Sequence, residues 1–238
     1  MVLEEMTDPG ARAGGPGAGG VDPELFLLLL ADARLPVGGH TQSGTLEGAL
    51  AHGLGAADVP GFLRARLLGV TRVEAGTAVA ARAAVLSGGS LAAVDDAWAA
   101  RTVAPALREA SRQQGRALLM VVERIWPAAL PPLAGLDRPA RATVLGAVAA
   151  HLGLGAATLA RLVAYDDVQT VCAAALKLVP LDPFVVTGWV AQALPAVDEV
   201  TRAVAEVTDP ADVPAVAAPQ IEAWAQAHAT TTRRLFRA

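Results

Sequence analysis

This sequence predicts an all-α fold, a single-domain bundle of about ten helices. Hydrophobic residues make up 53% of the chain while aromatics supply only 4%. That balance, led by alanine, leucine and valine, suits close-packed helices better than a β-sandwich, which draws on aromatic and β-branched side chains. Apolar residues recur at helical spacing, and no alternating pattern bounded by turns appears. The 238 residues allow one large domain or two small ones, with a substantial buried core in either case.

In chain order, residues 1–21 are rich in glycine and poor in apolar groups, so disorder is expected there. Asp22-Pro23 reads as a cap followed by a first helical residue. The apolar run that follows, including Leu25 to Leu30, predicts a helix packed on every side. Leu35-Pro36-Val37-Gly38-Gly39 then forms a rigid corner, because proline fixes one dihedral and glycine opens others. A second helix is expected from Thr41 or Ser43, either of which can cap it, with Glu47 in its first turn and Gly53 near its end.

Asp58-Val59-Pro60 starts a third helix carrying Phe62, Leu63, Leu67, Val70 and Val73 at helical spacing. Residues 74–86 continue or restart it, and Gly88-Gly89 stops it. Ser90 caps a helix with Val94 and Trp98, and residues 105–126 form a long one ended by Pro127. Residues 127–135 are a proline-rich bend and the best internal boundary. Asp137-Arg138-Pro139 opens the next helix, and 156–179 is a second long one. Asp182 caps a helix with Phe184 and Trp189, residues 195–207 form a separate helix, and 209–219 form a linker. A last helix begins at Gln220. Residues 22–229 thus read as the helical domain and 230–238 as a basic tail.

Several function classes fall away. The net charge of -4 argues against a nucleic-acid binder, which needs a basic face. The single cysteine, Cys172, allows neither an internal disulfide nor a thiolate-only zinc site, and among alanines it reads as core packing. The first apolar run resembles a secretory signal, but acidic residues precede it where a basic leader is needed, so a cytoplasmic location is expected. Residues 156–179 contain Arg161, Asp166, Asp167 and Lys177, each costly in lipid, so no membrane span is expected.

Catalytic constellations are missing. Lys177 lacks the glycines of a phosphate loop, and Ser43 has Thr41 where a nucleophile elbow needs glycine. His40, His52, His151 and His228 are scattered and read as structural or surface groups, although a metal site could still assemble in three dimensions. No catalytic residue, metal ligand or cofactor is therefore assigned. Gly38-Gly39 reads as a tight turn, because no cation follows to hold a phosphate. Asp166 and Asp167 point about 100° apart on a helix, so a solvated face or one salt bridge is expected. Arg108, Arg112 and Arg116 share a helix face that either meets water or docks an acidic partner. Leu235 and Phe236, set among Arg233, Arg234 and Arg237, are either a fraying end or an interaction segment that orders on binding.

The corner also carries a resemblance. Leu35-Pro36-Val37-Gly38-Gly39 with Ser43 and Leu46-Glu47 resembles the signature of the urease accessory protein UreF family. The family's aromatics are replaced by His40 and Gln42. Its glycine before Leu-Glu is here Thr45, with Gly44 one place early. Gln114-Gly115-Arg116, Leu178-Val179-Pro180-Leu181 and the closing Arg234-Leu235-Phe236-Arg237-Ala238 are similar to further family segments, in the same order.

The resemblance implies an all-helical homodimer without a catalytic centre. It would bridge the accessory protein UreD (also called UreH) and the GTPase UreG, and support GTP-dependent nickel delivery to apo-urease. Leu35, Pro36, Gly38, Gly39, His40, Gln42, Ser43 and Glu47 would shape a partner surface. Arg112 and Arg116 would join it, as would a tail of Arg233, Arg234, Leu235, Phe236 and Arg237. Two other classes stay open: a helical-bundle enzyme using dispersed groups such as His151, Asp166 and Asp167, and a helical adaptor outside urease maturation.

Overall fold

The computed structural model describes residues 20–232 and 234–236. The expected disorder of residues 1–19 and the roles of Arg233 and Arg237 lie outside the described residues. Those described are all-α, with ten helices in one domain and no strand among them. The helices are α1 (Pro23–Leu30), α2 (Leu46–Ala51), α3 (Val59–Arg66), α4 (Arg72–Ser87), α5 (Leu91–Arg101), α6 (Pro105–Ile125), α7 (Arg141–His151), α8 (Ala156–Leu178), α9 (Pro183–Val204) and α10 (Pro219–Ala229).

At the centre lies α4, packed on α7, α8 and α5, while α9 lies along α8 and α6 along α7. Both α4 and α7 are buried almost all round, the property of an interior helix. Their side chains are small enough for the backbones to meet. A Cβ on Gly146 of α7 would collide with the Ala78 carbonyl oxygen and lie 2.6 Å from Ala81 Cβ on α4. Gly115 of α6 likewise lies against the Pro139 carbonyl oxygen. The glycine of Gln114-Gly115-Arg116 is thus explained by packing.

Three sequence-read caps are made: Asp22 accepts from the Glu24 amide, Ser90 from Ala93 and Asp182 from Phe184. Gly88 closes α4 in the left-handed conformation at φ 71°. Cys172 is buried on α8, and burial raises its thiol to about 11.

Other expectations need correction. The α1 helix is not packed on every side: Leu25, Leu28 and Leu29 are exposed, Leu28 at 68%, and only Leu30 is buried. The third helix passes into α4 through a π-helical stretch, Leu67–Thr71. The expected start of α7 at Asp137-Arg138-Pro139 fails. Its first donors are capped from other helices instead, the Ala140 amide by Asp95 Oδ1 at 2.8 Å and the Arg141 amide by Ser111 Oγ at 3.2 Å. The expected break at Pro195 is absent, because α9 runs straight through. Pro195 and Ala191, one turn before it, both face solvent, where the forfeited carbonyl bond can be made to water. The bend at 127–135 is not a boundary either, since Trp126, Ala129 and Leu133 are buried in the common core.

Candidate partner-docking site

The corner is anchored by buried Leu35, which leaves Pro36 exposed beside it. Gly38 takes φ 78°, and Gly39–Thr41 makes one 3-10 turn with Thr41 Oγ1 donating to the Gly38 carbonyl at 2.8 Å. His40 is exposed at the tip, whereas Gln42 and Ser43 are buried. Neither Thr41 nor Ser43 is the N-cap of α2. That position is Thr45, with φ 71° and no side-chain cap, and Ser43 Oγ accepts the Glu47 amide at 3.3 Å from within the corner. Gly44 and Thr45 are consecutive left-handed residues, at φ 57° and 71°. The chain therefore has a β-branched residue in a conformation that costs about 1–2 kcal/mol without glycine. This is where the resembled family has glycine.

Glu47 is in the first turn of α2, and the tail converges on it. Its Oε1 accepts the Leu235 amide at 2.6 Å, and its Oε2 accepts the Phe236 amide at 2.8 Å. His228 Nε2 of α10 lies 3.0 Å from the same Oε2. A carboxylate accepts only, so the Nε2 carries the proton. Phe236 is 4% exposed, with Lys177 Nζ 5.4 Å above its ring, whereas Leu235 is 64% exposed. In the single chain Phe236 thus packs inward and cannot anchor a partner from that position. A groove of about 240 Å³ runs between the corner and α8, with His40, Gln42, Ala173, Lys177 and Phe236 among its walls.

Beneath the corner is a polar cavity of about 70 Å³ bordered by Gln42, Gly44 and Thr45. Arg66 forks onto Asp167, with Nε at 2.9 Å from Oδ2 and Nη2 at 2.8 Å from Oδ1. Thr71 Oγ1 donates to the same carboxylate at 2.7 Å, from the π-helical stretch. Arg141 takes Asp166 at 2.7 Å, so the adjacent aspartates hold two different arginines. Glu74, also lining the cavity, accepts Trp98 Nε1 at 2.7 Å. Desolvation by burial outweighs that bond and raises its carboxyl above the ordinary value.

The dispersed residues considered for an enzyme site are not brought together. His151 is ten residues along α7 from Arg141, about 15 Å along the axis, and Asp166 and Asp167 are engaged by arginine. Among the described residues no group of three or more His, Cys, Asp or Glu is placed to hold a metal ion. No helix there is long and apolar enough to cross a membrane.

The arginine stripe divides. Arg112 pairs with Asp95 at 3.1 Å, lies over the Trp98 ring and donates to the Arg138 carbonyl. Arg108 donates to the Thr102 and Val103 carbonyls at the end of α5. Of the three, only Arg116 is exposed, while Arg108 and Arg112 are half-buried. Sequence reading missed His228, Arg66 and Lys177 as organisers of this site. His228 is 181 residues from Glu47, so no local pattern links the two.

Comparison with known proteins gives a consistent result. A family model described as UreF matches residues 54–194. The urease accessory protein UreF of Mycobacterium sp. (strain JLS) is 38% identical over 213 residues, covering 88% of this chain and 96% of the relative. Those of Mycobacterium bovis (strain BCG / Pasteur 1173P2) and Mycobacterium tuberculosis (strain ATCC 25618 / H37Rv) are each 38% identical over 216 residues, with the same coverage.

Proposed function

Because this chain belongs to the UreF family of urease accessory proteins, we propose that it is a non-catalytic scaffold in the cytoplasm that bridges UreD and the GTPase UreG. Nickel is the cargo, delivered to apo-urease in a GTP-dependent assembly. The observation that carries this reading is the joining of the two resembled motifs on one carboxylate. Corner and tail, remote in sequence, meet at Glu47 and leave Pro36, His40 and Leu235 outward on neighbouring segments. Such a site offers shape and apolar contact to a protein. Arg116 and Arg234 would add charge at its margins. Homodimerisation belongs to the same reading: the exposed leucines of α1 are apolar surface of the kind that a second copy would cover.

The test is reconstitution. Apo-urease supplied with UreD, UreG, GTP and nickel should activate well only when this protein is added, while the protein alone hydrolyses neither GTP nor urea. Equal activation with and without it would reject the role.

A further inference from the structure

Arg66 and Thr71 stand five residues apart and reach the same carboxylate. Arg66 Nε and Nη2 lie 2.9 and 2.8 Å from Asp167 Oδ2 and Oδ1, and Thr71 Oγ1 donates to Oδ2 at 2.7 Å. In a regular α-helix, side chains five apart point about 140° away from each other. The π-helical stretch Leu67–Thr71 removes that divergence, because i→i+5 bonding sets residues five apart nearly one above the other. The wider turn between α3 and α4 is therefore what lets one aspartate of α8 hold it at both ends.

The same grouping carries the corner. A Cβ on Gly44 would lie 2.7 Å from Val171 Cγ2 and 3.3 Å from Arg66 Nε, so the corner backbone rests directly on both. Val171 comes four residues after Asp167, one turn on along α8 and on the same face. Gly44 and Thr45 are the consecutive left-handed residues, and Thr45 is buried. A conformation that disfavours a β-branched residue persists only where its surroundings over-determine it. The guanidinium beneath is planar and rigid, its side chain is 10% exposed, and its buried Nη1 has no partner among the described residues. An ion pair that leaves a buried donor unsatisfied is a poor stabiliser, whereas a two-point fork fixes position well.

We infer that Asp167 is a positioning residue for the glycine corner: through the π turn it sets Arg66 beneath Gly44 and so holds the left-handed pair in the shape that a protein partner meets. This rests on the scaffold reading and deepens it. The restraint comes from α8 and the α3–α4 joint, both packed in the bundle.

The test compares Asp167→Asn, Thr71→Val and Thr71→Ser with the unaltered full chain. The Leu46 and Glu47 amides report on the corner, since they donate to the Ser43 carbonyl and to Ser43 Oγ. Asp167→Asn leaves the Arg66 charge without its counter-ion, and exchange at both amides should speed by about tenfold or more while α4 and α7 stay protected. Thr71→Val, of the same size without the hydroxyl, should speed it about fivefold, the scale of one neutral hydrogen bond. Thr71→Ser keeps the hydroxyl and should leave exchange unchanged. UreD and UreG binding, followed by calorimetry, should weaken in the same order.

Unchanged exchange at Leu46 and Glu47 in Asp167→Asn would overturn the inference. So would a loss of protection spread equally over the corner, α4 and α7, which is what a merely structural ion pair would give. Should Asp167→Asn fail to fold, the Thr71 pair decides: equal behaviour of the valine and serine variants counts against the positioning role. If the unaltered chain binds neither UreD nor UreG, the scaffold reading is rejected, and the exchange rates still decide whether Asp167 shapes the corner.

Discussion

Thr45 occupies the most strained backbone position of the corner. Its left-handed φ of 71° suits glycine, and a β-branched side chain there carries a penalty of about 1–2 kcal/mol. Thr45→Gly should therefore stabilise the protein, by about 1 kcal/mol once the greater freedom of glycine in the unfolded chain is set against the relief. The urea midpoint measures it, and a lower midpoint would show that Thr45 is held by something other than strain. The sequence marked this position, since Gly44-Thr45 departs from the resembled pattern, but the sign of φ came only with the structure. Glu47 was legible as a first-turn acid. That its carboxylate receives His228 and the tail was not, because those donors are fixed by the packing of α10 against Gly48.

Among the elements, helix ends with local causes could be read directly. Asp22, Ser90, Asp182 and Gly88 each act within a few residues of themselves. The ends that misled are those settled at a distance. The α7 start is capped by Asp95 and Ser111 of other helices, and α9 survives Pro195 because its opposite face, with Trp189, Ala196 and Val200, is buried. The α4–α7 pair rests on glycine contact, so Gly146→Ala must push two interior backbones apart. A loss of about 1–3 kcal/mol, or failure to fold, is expected from overpacking there. Thermal and urea unfolding would show it, and an unchanged midpoint would mean that the helices separate freely.

For the molecule as a whole, the outward leucines of α1 have the largest consequence. A charge at Leu28, as in Leu28→Glu, should shift a homodimer to monomers by sedimentation while leaving the helix content unchanged. A dimer that survives would place the interface elsewhere, and a monomeric parent protein would remove self-association from the scaffold reading. Composition and periodicity by themselves determined the all-helical class and most helix spans, while the corner, middle-helix and tail motifs carried the resemblance to the family. These depend on neighbours a few residues apart. Only the tertiary structure decided that the apolar first helix is open on one side, that paired aspartates hold two arginines, and that Glu47 joins chain ends far apart in sequence. Each depends on which helix faces meet, and that is set by side-chain volume and backbone approach across the bundle, which no local spacing encodes.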